Sequence, residues 1–193
     1  DDVYARSDGF IDSTALKFGS STAGGLRSFL RWKIDIPQGS TIKKAFIKIK
    51  AKTEAAGGNF TAKQLLLDGY PTTTDFNNPY NLATKSGAVN YSTSNWNGID
   101  GSWNELSDIS TLVQKFIDRN DYIPNDSVKG YIGLSIQQGD TIGDNYKTAY
   151  AIEGGGIPEL VIEYSPWIVE YQITDGKKDA VASSSAWDKI AAC

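Results

Sequence analysis

The chain has 193 residues, a net charge of −4 and 40% hydrophobic residues. That is enough for one domain with a sizeable core, and the acidic balance excludes the basic stripe of a nucleic-acid binder. With no histidine and a single cysteine, Cys193, Ser-His-Asp chemistry, the usual zinc sites and an internal disulfide are excluded as well.

The elements follow in chain order. Val3 to Arg6 reads as a short strand before a turn at Asp8-Gly9, and Ala15 to Gly19 as another. Ser20 to Gly25 is a small-residue loop. It leads into the stretch around which the chain is organised, Arg27 to Ala51. There Leu30, Trp32, Ile34 and Ile36 alternate with Phe29, Arg31, Lys33 and Asp35, the period of a half-buried strand. Pro37 and Gly39 punctuate it. Ala45, Ile47, Ile49 and Ala51 then alternate with Phe46, Lys48 and Lys50. One dry and one wet side point to an antiparallel sandwich rather than a doubly wound parallel sheet.

Phe60 to Leu67 reads as a buried strand, whereas Gly69 to Gly101 has little periodicity beyond a short strand at Val89 to Tyr91. Asp108 to Arg119 is the one convincing helix, with Ile109, Leu112, Val113, Phe116 and Ile117 on one face and Ser107 or Asp108 as its cap. Strands are expected again at Val128 to Gln137, Tyr146 to Glu153 and Glu159 to Tyr164. The expectation is a mainly β fold: an antiparallel jelly-roll β-sandwich with one amphipathic helix over residues 1–164. Residues 165–193 form an appended arm or the start of a further element.

The strings FLRW at Phe29 to Trp32, IPQGSTIKKAFIKIKA at Ile36 to Ala51, Trp103 before DISTLVQKFIDR, and PELVIEY at Pro158 to Tyr164 resemble the DNRLRE-type domain. That domain is related to a module of disaggregatase-like and polysaccharide-binding proteins, and similar segments recur in tailed-phage structural proteins. Trp32 stands where the family carries phenylalanine, and Phe116 at its late helix aromatic. The resemblance covers about Asp2 to Tyr164. It implies a jelly-roll fold and a non-catalytic exterior module, and leaves the ligand open.

Two candidate sites come from the residues. The first is the aromatic segment, where Tyr80, Tyr91 and Trp96 would stack on sugar rings while Asn95 and Asn97 meet hydroxyls; Tyr70, Asn77 and Asn78 lie beside it. The competing role of its tryptophans, Trp103 above all, is to pin the loop to the core. The second is an acidic start, where Asp8 and Asp12, near Asp1 and Asp2, would hold a structural calcium, although no EF-hand spacing is present. Glu105, Asp108, Asp140 and Glu153 are formal candidates for paired catalytic carboxylates, but no motif accompanies them. Asn59-Phe-Thr61, Asn90-Tyr-Ser92 and Asn125-Asp-Ser127 are glycosylation sequons.

Trp167, Val169, Tyr171 and Ile173 give the arm strand character on both faces, so it is expected to seek a sheet edge, either in a neighbouring copy or in its own sheet. No apolar run is long enough to span a membrane, and no signal peptide is seen. The absence of methionine suits a processed chain. Together these give the functional expectation: a non-catalytic structural or adhesive module on the exterior of a virion or cell, extracellular and self-assembling with copies of itself or other exterior structural proteins. It would carry no certain cofactor beyond that calcium and engage no nucleic acid. The alternative is a glycan-binding module beside a polysaccharide-degrading enzyme.

Overall fold

The computed structural model describes residues 2–53, 58–72, 74–77, 79–85, 87–138, 143–166, 168–174, 177–183 and 188–192; from Ile168 onward, and at Phe76 and Asn81, the description is of the backbone. Two antiparallel sheets face each other across one core. The strands are β1 (Asp2–Arg6), β2 (Ile11–Asp12), β3 (Ala15–Ser21), β4 (Gly24–Lys33), β5 (Thr41–Lys50), β6 (Thr61–Leu66), β7 (Val89–Ser92), β8 (Trp103–Glu105), β9 (Tyr131–Gln138), β10 (Asn145–Tyr150), β11 (Glu159–Ser165), β12 (Ile168–Thr174), β13 (Lys177–Ser183) and β14 (Asp188–Ala192). The helix α1 (Ser110–Ile117) lies between β8 and β9.

The large sheet runs β10-β3-β4-β9-β6-β7, with β1 on β4 and β2 on β1; the small sheet runs β14-β11-β5-β8. β4 belongs to the first and β5 to the second, β6 and β7 to the first, β8 to the second, β9 and β10 to the first, β11 to the second. This repeated crossing is the jelly-roll way of closing a sandwich. A bridge between Ala51 and Ala149 joins the end of β5 to β10, so the two sheets meet along one seam.

Alternation explains the core. Leu30 and Trp32 on β4, with Ile132, Leu134 and Ile136 on the adjacent β9, face Ile47 and Ile49 on β5 and Leu160 and Ile162 on β11, all in one buried cluster. The Trp32 ring N–H donates to the Pro158 carbonyl at 3.0 Å, tying the large sheet to the start of β11. The outer face of β5 carries Lys44, Lys48 and Lys50, with Phe46 buried among them and the Lys44 ammonium 4.7 Å from its ring centroid. On the outer face of β4, Phe29 is buried with Val3, Ala5 and Leu67, under Tyr80 and Leu82. A strand with apolar residues on both faces needs two covers, and the loop after β6 supplies the second.

The stretch expected to be a loop at Ser20 to Gly25 is instead the β3–β4 hairpin, in which Ser21 pairs with Gly24. Small residues suit it, because β10 presses on it: a Cβ on Gly19 (φ +132°) would stand 2.2 Å from the Asn145 carbonyl oxygen. Strand β9 starts at Tyr131 rather than Val128, because the Asp126 carboxylate accepts the N–H groups of Val128 (2.8 Å) and Lys129 (2.7 Å) and holds a turn there.

The helix completes an edge. β8 covers β5 only from Lys48 to Lys50. Beyond it, Leu106 N–H donates to the Ile47 carbonyl (2.9 Å) and Ile109 N–H to that of Ala45 (2.7 Å). The N-cap position falls on Ile109 rather than on Ser107 or Asp108. The Asp108 carboxylate just before it accepts both Ala45 N–H (3.2 Å) and Ser110 N–H (2.8 Å), so it ties the helix start to the strand. Gln114 ends the series: its amide oxygen accepts Ile42 N–H at 2.8 Å and its NH2 donates to the Ser40 carbonyl at 3.1 Å. Leu112, Val113, Phe116 and Ile117 are all buried beneath.

Two predictions follow from this packing. Phe116 is fully buried, edge-on to Tyr70 and Tyr122 at 5.8 and 5.2 Å between centroids. Phe116→Ala is expected to cost about 3–5 kcal/mol in denaturant unfolding. Asp2 is buried, and burial raises its carboxyl to about 7, against a weaker pull from the Ile152 N–H it accepts. The unfolded chain gives up that proton near pH 4, so stability falls as pH rises from about 4 towards 7 and stays lowered above. Asp2→Asn, which keeps an acceptor for Ile152, should flatten that slope and raise the melting temperature at pH 8, as calorimetry across pH would show.

Candidate functional site

The sequence-predicted aromatic residues do not converge. Tyr91, inward on β7, is buried, and burial raises its hydroxyl pKa. Trp96 packs edge-on against Phe18 in the core, centroids 5.6 Å apart. Tyr80 is elsewhere, on the outer face of the large sheet, where the Arg27 guanidinium lies 4.3 Å from its ring centroid and donates to its carbonyl at 3.0 Å. Asn95 is exposed in a 3-10 turn. Asn97 holds a loop: its N–H donates to the buried Asn104 at 2.7 Å, and its side-chain oxygen accepts Ile99 N–H at 3.2 Å. Tyr70 pins the loop after β6 to the helix end. Its hydroxyl donates to Asp121 at 2.8 Å and, buried beside that carboxylate, is pushed up to about 12. Asn77 is exposed, and Asn78 lies outside the described residues.

The tryptophan expected inside is the one outside. Register puts Trp103 opposite Lys50 on the outer face of β8, with Asn104 pointing inward, so the indole is 40% exposed. The ammonium groups of Lys48 and Lys50 lie 5.0 and 4.9 Å from its ring centroid. Period two decides this: a three-residue strand has one inward position, and Asn104 takes it because its side chain bonds the Asn97 backbone on both sides.

The two carboxylates expected to hold calcium are each engaged by neighbours in their own turn. Asp8 is held by Arg6, whose guanidinium donates to both carboxylate oxygens at 2.5 and 3.0 Å and keeps its pKa below the usual range. Asp12 accepts the N–H and hydroxyl of Thr14, both at 2.7 Å. A cation needing six to eight oxygens would have to displace an arginine from the first carboxylate and a turn from the second. Among the described residues, no three carboxylates, cysteines or histidines come together as a metal set. Of the formal carboxylate candidates, Asp108 serves the helix start, Glu105 faces Lys48 across strands, and Asp140 lies outside the described residues.

What the fold does bring together is a cleft of about 400 Å³, lined by both amide and apolar surface, that sequence reasoning missed. Thr61 and Lys63 point outward from β6, and Asn90 on β7 stands opposite Lys63. Gln138 closes β9, Asn145 opens β10, and Asn59 and Phe60 form the lip before β6. The lip is held from two sides. Asn145 accepts Gly58 N–H at 2.7 Å, and the Thr93 hydroxyl accepts Phe60 N–H at 2.7 Å while donating to its carbonyl at 2.9 Å. Phe60 rests edge-on against Phe18, centroids 6.3 Å apart. Two sequons, at Asn59 and Asn90, fall on this cleft. They were the only sequence signal for it, and they gave no hint that the two asparagines are neighbours.

Val169, Tyr171 and Ile173 lie on β12, which pairs with β13 of the same chain; Trp167 lies outside the described residues. The 165–193 segment also sends β14 back to β11 in the small sheet. No helix among the described residues is long and apolar enough to cross a membrane.

In comparisons with known proteins, no family model and no curated protein matches the chain. The class that can be stated is an antiparallel β-sandwich with one amphipathic helix closing an edge.

The two indoles should behave oppositely. Trp96→Ala is expected to cost on the order of 3 kcal/mol in unfolding experiments, because it empties a core contact. Trp103→Ala should change stability by less than about 1 kcal/mol, as a substitution on a solvated face does.

Proposed function

We propose that this chain is a non-catalytic structural and adhesive module of a virion or cell exterior, which holds glycan in the amide-lined cleft and assembles with copies of itself. The observation that carries the reading is the cleft's composition. Asn59 and Asn90 present amides able to donate and accept, and Gln138 and Asn145 add further amides, that of Asn145 already accepting Gly58 N–H. Sugar hydroxyls need such two-way partners. Thr61 adds a hydroxyl, Lys63 a donor, and Phe60 an apolar ring for a C–H face. Rigid strands and a doubly held lip position these groups before a ligand arrives, which lowers the ordering cost of binding. The same cleft would serve a carbohydrate-binding module beside a polysaccharide-degrading enzyme; self-assembly separates the two readings.

A glycan array followed by calorimetry tests the proposal. At least one glycan should bind, and Asn90→Ala and Lys63→Ala should each weaken it roughly tenfold, the worth of one hydrogen bond of about 1.4 kcal/mol. Trp96, which does not line the cleft but packs on the Phe18 that supports Phe60, should when changed to Ala act through stability and the lip rather than through a lost ligand contact. Binding by no glycan, or binding indifferent to both cleft variants, would sink the glycan reading. Native mass spectrometry of the unmodified chain tests assembly without assuming any ligand.

A further inference from the structure

Strand β11 needs a neighbour on both edges. Its Leu160, Ile162 and Tyr164 are buried in the core, and β5 pairs with one edge along Glu159 to Ser165. The other edge would otherwise present unpaired N–H and C=O groups beside that core. β14 fills it antiparallel, from Leu160 opposite Ala192 to Tyr164 opposite Asp188.

The chain reaches β14 by a detour. It leaves the small sheet at Ser165, runs out along β12, returns along β13, and rejoins at Asp188. β12 and β13 pair over seven residues, Ile168 with Ser183 to Thr174 with Lys177, and neither pairs with any other described strand. Seven strand residues reach about 23 Å. A two-stranded hairpin without a third strand is marginal in water.

We propose that β14 is exchanged between copies: the β11 edge of one copy is filled by β14 of a second copy, with the β12–β13 hairpin as the bridge. The pairing of β14 with β11 is the same within a chain and between chains, so exchange loses no strand contacts. The hairpin tips the balance, because a neighbouring copy supplies partners that its own sheet does not. Reciprocal donation closes a dimer, and one-way donation runs on from copy to copy. This inference rests on the self-assembly reading above and specifies the contact.

Register supplies the test. Val161 stands opposite Ala191, a separation within disulfide reach for strand neighbours. In the full chain with Cys193→Ser, Val161→Cys and Ala191→Cys are placed on separate copies, co-expressed and oxidised, beside a double variant carrying both. Exchange predicts a covalent heterodimer from the separate copies, and dimers or a ladder from the double variant, on a non-reducing gel. Cross-linking only in the double variant, running as monomer, overturns the proposal, and so does no cross-link in either. Native mass spectrometry of the unmodified chain separates the failures. Oligomers without a cross-link between copies leave assembly standing and remove strand exchange, whereas monomer throughout removes both.

Discussion

The edge of β5 is the constraint on which the sandwich depends. β5 is one of the two inner strands of the small sheet, with Ala45, Ile47 and Ile49 in the core, and β8 is three residues long. An inner strand left open over half its length would expose backbone polar groups next to apolar side chains, an arrangement that folded proteins avoid. Asp108 and Ile109, at the approach to the helix, and Gln114 within it meet that demand in place of a strand. The same contacts fix the helix axis, which drives Phe116 onto Tyr70 and Tyr122. Tyr122 closes the chain of dependence: its hydroxyl accepts Ile36 N–H at 3.2 Å and donates to the Ile36 carbonyl at 2.9 Å. β4 has already ended at Lys33, so the hydroxyl stands in for a missing strand neighbour.

A second consequence concerns the aromatic residues. The core uses them as wedges where sheets separate: Phe18, Phe60 and Trp96 fill the end near β10, and Tyr70, Phe116 and Tyr122 the end near the helix. Aromatics spent in this way are not available as a flat platform. What remains for recognition is a cleft in which amides sit beside the Phe60 ring. The cleft takes its character from the ends of four strands, β6, β7, β9 and β10, where side chains face outward and the backbone is already paired. Its amides are the usual residues of strand ends and turns, set close by the curl of the large sheet.

The sequence by itself determined the class of fold. Alternation at Leu30, Trp32, Ile47 and Ile49, the helical face from Ile109 to Ile117, and the closing strand Glu159 to Tyr164 are local patterns, and local patterns are set by backbone period. Strand partners were not legible, because pairing is decided between segments far apart in sequence. Phe29 shows this: on the wet side of its strand by alternation, it is buried because Leu67 and Tyr80 arrive from the loop after β6. Trp103 shows the reverse, since its side of the sheet depends on the register of β8 against β5. The cleft joins Asn59, Asn90 and Asn145, residues separated by dozens of positions, and no periodicity links them. Only tertiary structure decides such a site. A one-residue shift in any of its strands would turn the outward side chains into the core, and the register that prevents it is held by buried residues elsewhere in the sandwich.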